Sequence, residues 1–163
     1  MRNHLKFVLY FSMYIISGCI SIGVAQKPEA AKNLIFTAPS DPFFDHTSKT
    51  GDRVWISRKT GNSISYLSDC SANTDPSLEL LESESLSGIE NLEILESHFR
   101  EFNHRKAKET LASGTLDGVT IKMNVISLKK NSCTYTLLFA GKKEHFDSEI
   151  SFFNQFKESF KAP

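Results

Sequence analysis

The sequence predicts an α+β fold: an antiparallel β-meander with one short helix and a C-terminal helix packed on one face. Three observations point there. Apolar residues alternate with period two over 119–125 and 133–139. Turn-forming residues separate the extended runs at Lys59-Thr60-Gly61-Asn62, Asn103-His104 and Asp117-Gly118. Phenylalanines then recur at spacings of three and four towards the end of the chain, the period of a helix with one apolar stripe.

The elements follow in order. Arg53 to Ser57 reads as a strand, and Ser63 to Cys70 returns from the hairpin turn with Ile64, Tyr66 and Cys70 in phase. Asp75-Pro76 opens a helix, with Asp75 as the N-cap acceptor and Pro76 at the first helical position. Leu78, Leu81, Leu86 and Ile89 fall near one face, Gly88 ends the helix, and Glu79, Glu82 and Glu84 form an acidic, solvated side. Leu92 to Phe102 and Arg105 to Leu116 read as strands flanking a turn, although 106–111 also fits a helical turn. Val119, Ile121, Met123 and Val125 alternate as a half-buried strand should, and the phase then shifts to Ile126 and Leu128, which predicts a bulge. Cys133, Tyr135, Leu137 and Phe139 form the inward face of the last strand, which Gly141 ends. The final helix is expected over 147–160, capped by Asp147 or Ser148, with Phe146, Ile150, Phe153, Phe156 and Phe160 packed on the sheet.

The first 25 residues read as an export leader: Arg2 and Lys6 precede an uncharged run from Phe7 to Ala25. Two processing sites are compatible with it. Gly23-Val24-Ala25 before Gln26 fits ordinary signal cleavage, at the point where polarity begins. Ile16-Ser17-Gly18-Cys19 fits a lipobox, with Cys19 lipidated, but Ile20 to Ala25 stays apolar after it, unlike a typical lipoprotein. A third reading keeps the leader as a weak membrane anchor. The expected organisation is a leader over 1–25 (alternatively 1–18), a flexible tether over 26–50, and one domain over 51–163. Pro28, Pro39 and Pro42 interrupt the tether, with Leu34-Ile35-Phe36 and Phe43-Phe44 as apolar islands at the domain edge.

The whole chain balances 19 basic against 19 acidic residues, and removing 1–25 takes away two cations and no acid. No clustered basic charge is left for nucleic acid. With Cys19 lost or lipidated, Cys70 and Cys133 remain as an even pair in an exported protein, which predicts a disulfide. The alternative is two buried free thiols. No zinc spacing is present, because neither cysteine has another Cys or a His within four residues.

No nucleophile elbow, phosphate-cradling loop or zinc-protease helix motif occurs, and nothing calls for a cofactor. Four histidines follow the leader: His46, His98, His104 and His145. His98 and His104 flank a predicted turn, which makes them the place to look for a metal site or an acid–base pair in a hydrolase.

From residue 54 to 160 the order of elements resembles the PsbP-like α+β fold. The resemblance is carried by Asp75-Pro76-Ser77-Leu78, by Gly114-Thr115-Leu116-Asp117-Gly118, and by Tyr135-Thr136-Leu137-Leu138-Phe139 with the phenylalanine stripe after it. These marks are mainly hydrophobic spacing, so they speak for a fold. Small exported bacterial proteins share that fold, and the resemblance implies binding or stabilising roles towards other envelope proteins, without a shared catalytic set. The expected function is a non-enzymatic binding module, periplasmic or secreted, contacting an envelope protein or a small ligand. Membrane contact is expected only through lipid on Cys19 or a retained leader. The alternatives are a lipid-anchored lipoprotein and a hydrolase with an unrecognised site.

Overall fold

The computed structural model describes residues 28–46, 52–71 and 75–163. Cys19, Ala25 and Gln26, and with them both processing sites, lie outside the described residues. Seven antiparallel strands form one sheet: β1 (Phe43–His46), β2 (Arg53–Ser57), β3 (Ser63–Asp69), β4 (Glu90–Phe102), β5 (Arg105–Leu116), β6 (Val119–Lys130) and β7 (Cys133–Lys142). Their order across the sheet is β1-β2-β3-β7-β6-β5-β4. Helix α1 (Leu78–Ser85) connects β3 to β4, and α2 (Lys143–Ser159) follows β7 directly.

The two helices cover opposite faces, and this explains the change of phase in β6. Ile121, Met123 and Val125 point to one face and pack with Leu86 and Ala112. Ile126 and Leu128 point to the other and join the main core of Tyr135, Leu137, Phe139 and the α2 phenylalanines. The predicted bulge is absent: β6 keeps an unbroken register with both β5 and β7. Successive side chains of one strand are buried because each face has its own cover. The helical alternative for 106–111 also falls, since Arg105–Leu116 is strand throughout.

Residues 28–46, expected to be part of a tether, pack against the domain. Phe36 lies 5.2 Å from Tyr66 and 5.8 Å from both Trp55 and Phe156, ring centre to ring centre. Ile35 and Lys161 exchange backbone hydrogen bonds, and β1 adds an edge to β2, with Phe43 buried against Phe152. Leu34, Phe36 and Phe43 of the apolar islands therefore belong to the core, where they close the aromatic cluster under α2, while Ile35 stays exposed.

Both helices start elsewhere than expected. The cap of α1 is Ser77, whose Oγ accepts the Leu80 N–H at 3.1 Å. Asp75 is taken by Lys129 at 2.6 Å instead. Helix α2 begins at Lys143 without a side-chain cap. Phe146 must already be helical to reach Phe139, at 4.7 Å, while Asp147 pairs with Lys122 and Ser148 donates to the His145 carbonyl. Gly141 does not end β7, which continues to Lys142. A Cβ at 141 would overlap the side-chain amide of buried Asn62, so glycine makes room for that contact.

That amide belongs to a network fixing α2 to the β2–β3 hairpin. The buried Glu149 carboxylate accepts from Ser57 Oγ (2.8 Å), Thr60 Oγ1 (2.5 Å) and Asn62 Nδ2 (2.9 Å).

Candidate functional site

Helix α1 is eight residues long and packs over β5 and β6, and on its side Leu138 and Ala140 of β7 join the cluster beneath it, but it does not reach the far ends of β3 and β7. Leu67 of β3 and Thr134 and Thr136 of β7 lie on the same face as α1 and face an open groove. The groove has a volume of about 610 Å³, within the range of small-molecule sites. Its far wall is α1, through Leu80, Leu81, Glu84 and Ser85, and Pro28, Asp69 and Asp75 complete its rim. Leu67 and Leu80 are both exposed by more than two-fifths, giving it an apolar floor and wall. Hydroxyls of Ser85, Thr134 and Thr136 supply donors and acceptors between them.

The disulfide stands at this rim. Cys70 and Cys133 are bonded, with Cα atoms 4.2 Å apart. They extend the ladder in which Asp69 faces Thr134. The Cys70 N–H donates to the Glu29 carbonyl at 2.8 Å, and Ala31 N–H donates to Ser68 Oγ at 2.8 Å, so the segment after Pro28 is laid along β3. The Ser71 amide donates to Asp69 Oδ1 at 2.9 Å and, with the Glu29 amide, holds the Asp69 carboxyl below its ordinary range. Asp69 thus presents a fixed negative charge at the rim.

The acidic side of α1 is only partly solvated, contrary to expectation. Glu82 turns onto the sheet, where it accepts from Ser97 Oγ and Thr110 Oγ1 and pairs with Lys108 at 3.3 Å. Its spacing resembles that of Glu79 and Glu84, but only Glu82 lies above polar partners on β4 and β5.

The histidines do not converge on the groove. His98 lies on β4, 3.3 Å from Glu96 and nearly half exposed. His104 is in the β4–β5 turn, 3.7 Å from Glu101 and almost fully exposed. It borders a second hollow of about 470 Å³, with Arg100, Lys130, Lys157 and Glu158, whose lining contains no serine, threonine or cysteine. Beneath that hollow, Arg100 and Lys157 each hold one oxygen of Glu109 at 2.7 Å. Burial works to raise the Glu109 carboxyl, but the hydrogen bonds from Lys157 and Arg100 outweigh it and leave it below the ordinary carboxylate range. Among the described residues, no three His, Cys, Asp or Glu side chains gather as a metal site, and no helix is long and apolar enough to cross a membrane.

The sheet order, the short helix on one face and the long helix on the other define an α+β domain of the PsbP-like fold. Solved structures bear this out. Cyanobacterial PsbP (CyanoP) from Synechocystis sp. PCC 6803 superposes with a TM-score of 0.59 at 12% identity, over 91% of this chain and 99% of that one. LpqN of Mycobacterium tuberculosis, a protein involved in cell envelope biogenesis, superposes with a TM-score of 0.60 at 10% identity, over 85% of this chain and 86% of that one. No family model and no curated protein matches the sequence. At these identities the likeness is one of fold.

Sequence reasoning missed the groove. Its one sequence-level signal was the shortness of the helix after Pro76, which is too small to cover a seven-stranded sheet.

Proposed function

We propose that this chain is an exported, non-enzymatic binding module of the cell envelope, and that the groove beside α1 is its ligand site. The observation carrying the reading is the groove itself: apolar walls, five hydroxyl side chains and three carboxylates, of which Asp69 is held charged, with no histidine or cysteine among its lining. Export is supported by the leader, by a disulfide of the kind that persists in oxidising compartments, and by a fold shared with a protein of envelope biogenesis. Signal cleavage after Ala25 would leave Gln26 two residues before Pro28, which lines the groove.

The test uses isotope-labelled, oxidised protein from residue 26 onward, titrated with fractionated small-molecule extract of the envelope. Saturable shifts of the Leu67, Leu80, Thr134 and Thr136 amides, lost in Leu67→Lys, are expected. A fraction set that leaves these amides unmoved while the protein is folded overturns the reading. An intact mass of the native molecule decides between Gln26 and a lipidated Cys19 as its first residue.

A further inference from the structure

Charge is sorted between the two concavities of the surface. Thirteen residues line the groove beside α1, and none is Lys, Arg or His, although the whole chain balances 19 cations against 19 acids. Three of the thirteen are carboxylates: Asp69 on β3, Asp75 before α1 and Glu84 on α1. The second hollow has the reverse balance, with Arg100, Lys130, Lys157 and Lys161 against Glu101 and Glu158. Among the described residues the one ion pair at the groove joins Asp75 to Lys129, at 2.6 Å. Asp69 on the sheet side and Glu84 on the helix side therefore carry charge without a counter-ion. Hydrogen bonds from the Ser71 and Glu29 amides keep the Asp69 carboxyl ionised.

A ligand that fills the groove must meet two conditions at once. It has to cover Leu67 and Leu80, which are 41% and 48% exposed, and an apolar body gains free energy by doing so. In covering them it also strips water from the neighbouring carboxylates. A neutral ligand returns nothing for that lost hydration, and an anion adds repulsion to it. A protonated nitrogen replaces the lost water with charge-assisted hydrogen bonds. The hydroxyls of Ser132, Thr134 and Thr136 add uncharged partners along the floor.

We propose that the groove selects a small amphiphilic organic cation, an amine or guanidinium carried on an apolar body, with the cation between Asp69 and Glu84 and the body across Leu67 and Leu80. The inference rests on the reading of this groove as the ligand site and adds the chemical class of the ligand.

The probes are phenylbutylammonium, phenylbutanol and phenylbutyrate, which share one apolar body and differ in charge. Each is titrated at low salt into the isotope-labelled, oxidised protein from residue 26 onward. The ammonium should shift the Leu67, Leu80, Thr134 and Thr136 amides saturably. The alcohol should bind roughly tenfold more weakly, the scale of one hydrogen bond to a charged group, and the carboxylate should leave these amides unmoved. Asp69→Asn keeps an oxygen for the Ser71 and Glu29 amides, and Glu84→Gln changes an exposed helical position. In both variants the gap between ammonium and alcohol should narrow, as it should in the wild type at raised salt. Equal affinity for ammonium and alcohol, tighter binding of the carboxylate, unmoved amides with the ammonium, or an unchanged gap in both variants overturns the inference. The envelope extract distinguishes this failure from failure of the groove itself. Passed over a cation-exchange resin, its active material should be retained. Activity confined to the unretained fraction overturns the cationic ligand and leaves the groove a binding site, whereas activity in neither fraction removes the site and the inference with it.

Discussion

Removing the Cys70–Cys133 bridge is expected to cost about 4 kcal/mol on the chain-entropy account of a cross-link. The closed loop spans 63 residues of sequence and contains α1, β4, β5 and β6. Releasing a loop of that length returns roughly 14 cal/mol/K to the unfolded chain. The folded state loses less, because β3 and β7 pair from Ser63–Ala140 to Asp69–Thr134 without help from the sulfurs. The effect therefore resides in the unfolded ensemble. Cys70→Ala/Cys133→Ala and the reduced wild type should both be less stable than the oxidised protein by that amount. For a domain of this size, Tm falls by roughly 12–16 °C. Urea unfolding by circular dichroism measures it, and m should increase in both reduced forms because the unfolded chain expands. The reasoning is refuted if all three forms unfold within about 1 kcal/mol of one another with equal m, a difference typical of surface substitutions. Quantitative alkylation of both thiols in native protein isolated without reductant refutes the bridge itself.

Glu149→Ala leaves the buried donors of Ser57, Thr60 and Asn62 without their acceptor and should cost about 3 kcal/mol in urea unfolding, with Glu149→Gln milder because an oxygen remains. Gly141→Ala drives a Cβ into the Asn62 side chain and should cost about 1–3 kcal/mol, relieved in part by adding Asn62→Ala. Because the folded Glu109 carboxyl titrates below its unfolded value of about 4.3, the unfolded chain takes up the proton first on acidification. Its contribution is thus fully present above that value and lost as pH falls through the folded pKa. Glu109→Gln should flatten this acid limb in stability measured between pH 6 and 2.

How much of this was legible in the sequence follows from which residues report on a single neighbour and which on several. Hairpins were legible because a turn is local: Asn103-His104 and Asp117-Gly118 both sit where positive φ is needed, as the structure shows for Asn103, His104, Asp117 and Gly118. The α2 stripe was legible because period 3.6 survives any context. Phe36 and Phe43 were not, since a short apolar island among prolines looks the same whether it floats or fills a core assembled from residues 55, 66, 156 and 160. Glu82 was not, because only tertiary placement distinguishes it from Glu79 and Glu84. The open groove was hidden for a related reason: a surface left uncovered has no pattern of its own.

The two faces of the sheet have been given unequal covers, and this inequality separates stability from recognition. Helix α2, seventeen residues long, seals one face with Phe146, Phe153 and Phe156 buried against the sheet and Phe160 just beyond its end. Helix α1 has about 12 Å of length and ends before Gly88, whose positive φ turns the chain away into β4. It covers the β5–β6 side, with Leu138 and Ala140 of β7 beside that cluster, and leaves Leu67, Thr134 and Thr136 open on that face. The disulfide closes the rim of that open stretch, next to the pair Asp69–Thr134. Ligand affinity at the groove should accordingly fall when the bridge is reduced, even under conditions in which the α2 core remains folded.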